Sequence, residues 1–244
     1  HLIDNYGIKE LHFEDDCFTA NKKRAMGILN AIIAFKSFDK RWDLTLNSPS
    51  GLAVFAMDEE LMDKMKEAGY YSLSFAIESG SQHVLKDLIH KNVDLVKAKR
   101  LVDYARSIGL KTKAFFILGY PGETKDTMKE TVGFAHFLGA DWSIFFPATP
   151  LPGTDMFDLC VKNQWIDNPN LDDRLSFFTP NIRTPDFTPE YVTKVRDEAN
   201  ESINFTENIN MRLGNYERAR EDFQEIVNLY PDLKIAREAL AKCP

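Results

Sequence analysis

Residues 112–124, TKAFFILGYPGET, decide the fold. The stretch begins with a run of threonine, aromatic and aliphatic residues, which is typical of a buried β-strand. A turn that contains glycine and proline follows, and it ends at Thr124, a residue type that caps helices. Apolar residues at helical spacing then continue to Gly139, where the helix is expected to stop. A strand, a turn and a helix in this order predict one βα unit of a parallel sheet.

The same alternation extends up to about residue 150. The strand-like runs lie at 10–14, 43–47, 72–77, 112–118 and 142–147. Two further helices are predicted to begin after Asp58 and Asp94 and to stop at Gly69 and Gly109. The strand starts lie roughly 30–40 residues apart, which is the length of a βαβ repeat. The sequence therefore predicts an α/β fold.

The composition is that of a globular protein. The chain has 244 residues, of which 44% are hydrophobic and 27% charged, so one main domain with a small appendage is expected. A net charge of -7 argues against a broad nucleic-acid surface, because such binding depends on clustered Lys and Arg. No apolar run approaches the ~20 residues of a membrane-spanning helix, and residues 1–4 lack signal-peptide character. We therefore predict a cytoplasmic protein with no membrane span.

Three cysteines, Cys17, Cys160 and Cys243, are odd in number and far apart. This spacing fits reduced thiols better than a disulfide framework, and it matches no metal-binding motif. The sequence predicts no metal ligands in this chain.

The pattern changes after residue 147, where prolines recur among Asn and Asp. We predict an α/β domain over 1–155, an irregular proline-rich connector over 156–188 and a helical extension over 189–244. Part of the extension, at about 203–236, resembles a tetratricopeptide repeat through Leu213-Gly214-Asn215-Tyr216 and the residues after it. A plain amphipathic hairpin packed on the domain is the alternative, since one degenerate repeat cannot form a solenoid. The extension is also a candidate surface for a protein partner.

Four short motifs follow the predicted strands, where the chemistry of parallel α/β barrels is found. They are FEDDCFT at 13–19, IESGS at 77–81, FILGYPGET at 116–124 and PLPGT at 150–154. In this order they closely resemble the radical S-adenosylmethionine (SAM) superfamily, and within it the enzymes that often have a cobalamin-binding domain ahead of the barrel. The resemblance implies a partial (β/α)6 TIM-like barrel, truncated at its first strand and followed by a helical extension.

The resemblance also implies cofactors. In this family a 4Fe–4S cluster held by a CxxxCxxC motif binds S-adenosylmethionine and cleaves it to a 5′-deoxyadenosyl radical, with electrons from a donor such as flavodoxin or ferredoxin. The cluster cysteines are expected upstream of this chain, since Cys17 stands alone after the family's second strand. Cobalamin would be held by a separate N-terminal domain, and the substrate would be a small or lipid-like molecule.

The first two site residues implied by the resemblance are Asp15 and Asp16, which would accept hydrogen bonds from the methionyl ammonium group. Carboxylates beside a cation suit that role. The alternative is structural, because Asp16 or Thr19 would be able to cap a helix that begins near Ala20.

Glu78 and Ser79 follow the strand predicted at 72–77, beside the small residues Gly80 and Ser81 that would let a ligand approach. The resemblance implies that Glu78 contacts the ribose or methionyl part of the cosubstrate. The alternative is a carboxylate that only offsets a helix dipole.

Ile117 and Gly119 belong to the segment that resembles the family's adenine-binding motif. Ile117 would pack on the base, and backbone groups near Gly119 would read its edge. Phe115 departs from the pattern, since other branches have glycine there. Glu123 is expected to order this loop ahead of the Thr124 cap and not to bind the ligand.

The predicted function is that of a fragment of a radical SAM enzyme, active in cobalamin-dependent methyl transfer or cyclisation when complete and inactive alone. A methylthiotransferase is the nearest enzymatic alternative. A second class is a non-catalytic interaction module with a remnant barrel. An ordinary barrel hydrolase or aldolase is disfavoured, because the strand ends lack a catalytic Lys, a His–Asp pair or a phosphate loop.

Overall fold

The computed structural model describes residues 1–15, 17–166 and 178–244. Its strands are β1 (Glu10–His12), β2 (Thr45–Asn47), β3 (Leu52–Ala53), β4 (Ser72–Glu78), β5 (Lys111–Leu118) and β6 (Trp142–Pro147). The helices are α1 (Leu2–Tyr6), α2 (Lys22–Phe38), α3 (Glu59–Ala68), α4 (Leu95–Ser107), α5 (Lys125–Leu138), α6 (Asp155–Lys162), α7 (Pro189–Glu201), α8 (Ile209–Arg212), α9 (Tyr216–Leu229) and α10 (Lys234–Lys242). Short π-helical turns lie at Val84–Leu88 and Ser202–Thr206.

The strands form parallel sheets. β1 pairs with β2 in parallel, with Leu11 opposite Leu46. The other strands form a second sheet in the order β3-β4-β5-β6, and β3 is parallel to β4. The Lys111 amide at the start of β5 bonds to the carbonyl of Tyr71, just before β4, at 3.0 Å. Matching strand starts in this way is the signature of a parallel pair, so helical crossovers must connect the strands.

By its internal contacts the chain divides into two compact units. The first consists of residues 1–77 and 92–115, and the second of residues 78–91 and 116–244. In the first unit α2, α3 and α4 bury apolar stripes, and Leu29, Leu61 and Leu101 are fully buried. Lys22 of α2 adds ion pairs to Asp58 and Glu60 at 2.6 and 2.7 Å.

In the second unit, the phenyl rings of Phe116 and Phe145 stack at 5.1 Å in the core. The helical extension is attached to the start of β6 by buried polar contacts. The Asn204 side chain bonds to both the amide and the carbonyl of Ser143 at 2.8 Å, and Arg218 pairs with the fully buried Asp141 at 2.5 Å. Directional contacts of this kind fix the position of the extension on β6.

An apolar cluster in the same unit contains Ala219, Phe223, Ala239 and Cys243 from the last two helices, with Trp142 of β6 packed against it. The hairpin of α9 and α10 therefore packs on the sheet. Its assignment as a tetratricopeptide repeat stays a prediction.

The predicted strands and most helix caps are confirmed. Asp58, Asp94 and Thr124 each cap a helix through their side chains, and Gly69 and Gly139 adopt left-handed conformations at helix ends. The short strand β3 was not predicted, because two residues are too few for a periodicity to be visible.

The predicted cap of α2 is wrong. The helix begins at Lys22, and the Asn21 side chain accepts the Arg24 amide at 3.0 Å. Thr19 instead lies fully buried before the helix. An asparagine one residue later competes successfully because its amide oxygen reaches the third amide of the helix.

The connector predicted over 156–188 contains most of α6, and residues 167–177 lie outside the described part of the chain. Helix α7 begins at Pro189 with Thr188 as its cap. The domain boundaries at 155 and 188 stay predictions. None of the helices in the described ranges combines the length and the apolar character needed to cross a bilayer.

Candidate functional site

Glu78, the last residue of β4, has an unusual backbone and an unusual environment. Its φ is +70°, in the left-handed region that costs residues with a side chain about 1–2 kcal/mol. Its side chain is only 11% exposed, and its carboxylate forms an ion pair with Lys91. Strain of this kind persists where surrounding structure enforces it, and it is concentrated at functional sites. The carboxylate of Glu78, which extends from this strained backbone, is therefore the strongest candidate for a ligand contact.

Lys91 was not identified from the sequence. It lies beyond the π-helical turn that follows Glu78, next to His90, whose φ is also positive at 56°. The only sequence signal is a lysine in a short polar connection between apolar segments, and such lysines are usually solvated. The pairing of Lys91 with Glu78 depends on the π-helical turn, which brings Lys91 back to the end of β4.

The turn at Ser79, Gly80 and Ser81 packs on helix α5. The Ser79 hydroxyl lies 3.0 Å from the Thr131 hydroxyl and accepts the Ser81 amide at 3.1 Å, while the Gly80 amide donates to Thr131. A Cβ on Gly80 would collide with Cβ of Phe134 and lie 2.8 Å from Cα of Thr131. We expected these small residues to make room for a ligand; Gly80 makes room for α5. The predicted ligand role of Ser79 stays a prediction.

The loop after β5 is organised by Glu123. Its carboxylate is fully buried and accepts the amides of Gly119 and Tyr120 at 2.8 and 2.9 Å. Burial raises the pKa of Glu123 to about 7, because desolvation of the charged form outweighs these hydrogen bonds. The expected loop-ordering role of Glu123 is confirmed. Both amides are committed to Glu123, and the carbonyls of Tyr120 and Leu118 accept the amides of Glu123 and Ala148, so a ligand at this loop would meet the half-buried side chain of Ile117.

This raised pKa predicts a pH effect on stability. Glu123 ionises near its ordinary pKa of 4.5 in the unfolded chain and near 7 in the folded chain. Below pH 4.5 its ionisation therefore does not lower the free energy of unfolding, and above pH 7 it lowers that free energy by the full amount. We expect E123Q, which cannot ionise but can still accept both amides, to gain about 3 kcal/mol of unfolding free energy relative to wild type as pH rises from 4.5 to 7.5. Urea denaturation of both proteins across this range measures the difference. A constant difference would show that Glu123 does not titrate in this window.

The predicted ammonium-binding pair lies in the first unit and is described only in part. The Asp15 carboxylate is 41% exposed and accepts from the Arg24 guanidinium at 3.0 Å, and Arg24 also bonds to the carbonyl of Phe18. Asp16 lies outside the described residues. Glu78, Ser79, Ile117 and Gly119 belong to the second unit. The ligand roles of all six residues stay predictions.

The three cysteines all lie in the described part of the chain. All three are free, and in the described ranges no group of three or more His, Cys, Asp or Glu side chains is arranged to hold a metal ion. Burial raises the pKa of the Cys160 thiol to about 11, which disfavours the thiolate that iron requires.

Residues 2–135 match the sequence model of the radical SAM superfamily. The chain belongs to this superfamily. Its members are enzymes that use S-adenosylmethionine with a 4Fe–4S cluster. The α/β fold with parallel sheets and a helical extension agrees with a partial radical SAM barrel.

Three proteins similar to this chain are described as methyltransferases. The chain is 38% identical to the cytidylyl-2-hydroxyethylphosphonate methyltransferase of Streptomyces wedmorensis over 172 residues, 68% of this chain and 31% of that protein. It is 32% identical to an uncharacterized methyltransferase of Pyrococcus horikoshii over 80% of this chain and 40% of that one. The methyltransferase TsrM of Kitasatospora setae, solved with cobalamin and a 4Fe–4S cluster bound, superposes with a TM-score of 0.58 at 23% identity, over 65% of this chain and 30% of TsrM. The chain thus spans about a third of the length of these relatives.

The radical SAM cofactors fit this chain unequally. The chemistry of the two predicted residues is compatible with S-adenosylmethionine, because a largely buried carboxylate such as that of Glu78 can accept from hydroxyl or ammonium donors and an apolar side chain such as Ile117 can pack on a base. A 4Fe–4S cluster does not fit the described residues, because their cysteines lie singly and form no ligand group.

Proposed function

We propose that the complete gene product is a cobalamin-associated radical SAM methyltransferase, and that this chain supplies the residues that hold S-adenosylmethionine. Two methyltransferase relatives above 30% identity support the reaction class. TsrM, which binds cobalamin and a 4Fe–4S cluster, supports the fold and, by analogy, the cofactors. When bound, the cluster supplies the electron that activates the cosubstrate, and cobalamin supplies a methyl carrier.

The residues of this chain bind and orient the cosubstrate. Glu78 accepts hydrogen bonds from ribose hydroxyls or from the ammonium group, and the shielding of its carboxylate strengthens such bonds. Asp15 and Asp16 accept from the ammonium group, with Arg24 holding Asp15 in place. Ile117 packs on the adenine ring, and backbone groups near Gly119 read the edge of the base. Glu123 takes no part in binding and holds the loop in shape.

The observation that carries this proposal is the left-handed conformation of Glu78. A residue that served only to end the strand would be expected to be glycine or asparagine, which adopt this conformation at little cost. A nearly buried glutamate there, with its carboxylate paired to Lys91, supports a role for the carboxylate itself. In a member of the radical SAM superfamily, the donors of S-adenosylmethionine are the matching chemistry.

The substrate and the electron donor are proposed from the family and from one of the relatives. We propose a small or lipid-like molecule, consistent with the phosphonate methyltransferase among the relatives, and a flavodoxin- or ferredoxin-type electron donor. A cytoplasmic location is supported by the three free cysteines.

Anaerobic reconstitution of the complete gene product with iron, sulfide and hydroxocobalamin tests the function. We expect about four iron atoms per chain, bound cobalamin, and conversion of S-adenosylmethionine to S-adenosylhomocysteine or 5′-deoxyadenosine under reducing conditions. Iron and cobalt analysis with chromatography of the nucleosides measures each result. A protein with no cluster and neither nucleoside would overturn the proposal.

A further inference from the structure

Gly119 is covered by side chains from the C-terminal part of the chain. A Cβ on Gly119 would lie 2.9 and 3.3 Å from the two Cγ atoms of Val192 and 3.5 Å from Cε2 of Phe187. Val192 is 1% exposed and Phe187 is 2% exposed. The Gly119 amide thus bonds to the Glu123 carboxylate, while Val192 and Phe187 occupy the space that a side chain at Gly119, where φ is +82°, would need. Because Gly119 has no side chain, Val192 and Phe187 can pack directly on its backbone.

The covering segment has its own local structure. Thr184 and Phe187 close a turn in which the Thr184 amide bonds to the Phe187 carbonyl at 3.0 Å and the Thr184 hydroxyl accepts the Phe187 amide at 3.3 Å. Thr188 then caps helix α7 through the Tyr191 amide, and Pro189 occupies the first helical turn. A turn joined directly to a capped helix leaves the segment few alternative conformations. Phe187 and Val192 are thus presented to the loop by a rigid support.

A second contact reaches the far end of the same loop. The Lys125 ammonium, in the first residue of α5, lies 5.1 Å from the centre of the Tyr191 ring. Helix α7 therefore contacts both ends of the segment 119–125, at Gly119 and at Lys125. Leu88 approaches the middle of the segment, 3.0 Å from where a Cβ on Gly122 would lie. If α7 moved, the segment 119–125 would have to move with it, or a gap would open between them.

From these contacts we propose that Val192 and Phe187 are positioning residues, which set the conformation of the Gly119 loop and thereby the affinity for S-adenosylmethionine. The link to affinity rests on the proposed function, in which this loop holds the adenine. Both residues lie outside the residues 2–135 that match the radical SAM sequence model. The C-terminal helical extension thus contributes to the cosubstrate site through packing, without touching the ligand.

Two substitutions at Val192 separate positioning from general stability. V192A removes both Cγ atoms, whereas V192T keeps a branched side chain of nearly the same shape. V102A is the matched control, because Val102 is a fully buried valine on α4 whose loss leaves a cavity of similar size. The complete gene product is used, with the Kd for S-adenosylmethionine from equilibrium dialysis and deuterium uptake of the peptide 116–124 from mass spectrometry.

We expect V192A to exchange its 119–124 amides faster and to bind S-adenosylmethionine about tenfold more weakly, a change that corresponds to about 1.4 kcal/mol. V192T is expected to restore most of the affinity, and V102A to leave loop exchange and affinity unchanged. Unchanged exchange in V192A, or equally faster exchange in V102A, would overturn the positioning role. Faster exchange with unchanged affinity would overturn the link to the cosubstrate.

A variant in the loop's own strand distinguishes failure of this inference from failure of the proposed function. I117D places a charge where the adenine ring is proposed to pack. If I117D binds S-adenosylmethionine as wild type does, the proposed adenine site is wrong. The exchange measurements on V192A and V102A still decide whether Val192 positions the loop.

Discussion

E78Q is expected to weaken S-adenosylmethionine binding by about a hundredfold while leaving the fold intact. A hydrogen bond to a charged group contributes about 1.5–3 kcal/mol, and tenfold in Kd is about 1.4 kcal/mol. The shielding of the Glu78 carboxylate places its contribution toward the upper end of that range. Glutamine keeps the shape but removes the charge. Lys91 is half exposed, so it can be solvated when its partner is neutral.

Equilibrium dialysis of the complete gene product with labelled S-adenosylmethionine measures this effect. E60Q is the matched control, because Glu60 is also a lysine-paired glutamate but is 69% exposed on helix α3. E78G separates the backbone from the carboxylate, since glycine accepts the left-handed conformation without strain and should fold but not bind. Wild-type affinity in E78Q, with normal circular dichroism, would show that Glu78 is not a ligand contact.

A large loss of stability is expected from G80A. The added methyl group would collide with Cβ of Phe134 and crowd the backbone of α5 at Thr131 and Glu130, and these atoms cannot rotate away. Overpacking usually costs 1–3 kcal/mol, and contact with backbone places this substitution at about 3 kcal/mol. The Gly80–Thr131 hydrogen bond would be lost as well. Urea denaturation gives the change in unfolding free energy.

Helix α5 provides the control for G80A. Gly133 is exposed within the same helix, and a Cβ there would meet no atom within 4 Å. G133A should therefore stabilise the protein by about 0.5–1 kcal/mol, because alanine is the better helix former. G80A and G133A, both glycine-to-alanine substitutions, should thus change the free energy of unfolding in opposite directions. A G80A protein as stable as wild type would show that the turn at 79–81 does not pack on α5 as described.

Most of the fold was predictable because its signals are local. The β5 strand, its turn and the Thr124 cap all lie within residues 112–124, and each follows from hydrophobic periodicity or capping chemistry. The α2 cap was misplaced because Thr19 and Asn21 are both capable caps, and a local rule does not choose between them. The choice depends on Thr19 being buried, which is a property of the folded chain.

The sequence pointed to Glu78 and Gly119 as candidate residues but not to the contacts that they make. Position after a buried strand identified Glu78, and the same argument gave Gly119. The Lys91 partner, the left-handed backbone of Glu78 and the Val192 contact on Gly119 all depend on long-range packing. Gly80 is the clearest example, since the sequence does not indicate whether the neighbour of a small residue is a ligand or a helix.

The most direct test of the central claim is a crystal structure of the complete gene product with S-adenosylmethionine bound. We expect the adenine ring to lie in van der Waals contact with Ile117, and a ribose or ammonium donor to lie within about 3 Å of the Glu78 carboxylate. Cosubstrate bound elsewhere, with Glu78 paired only to Lys91 and no ligand on Ile117, would contradict it.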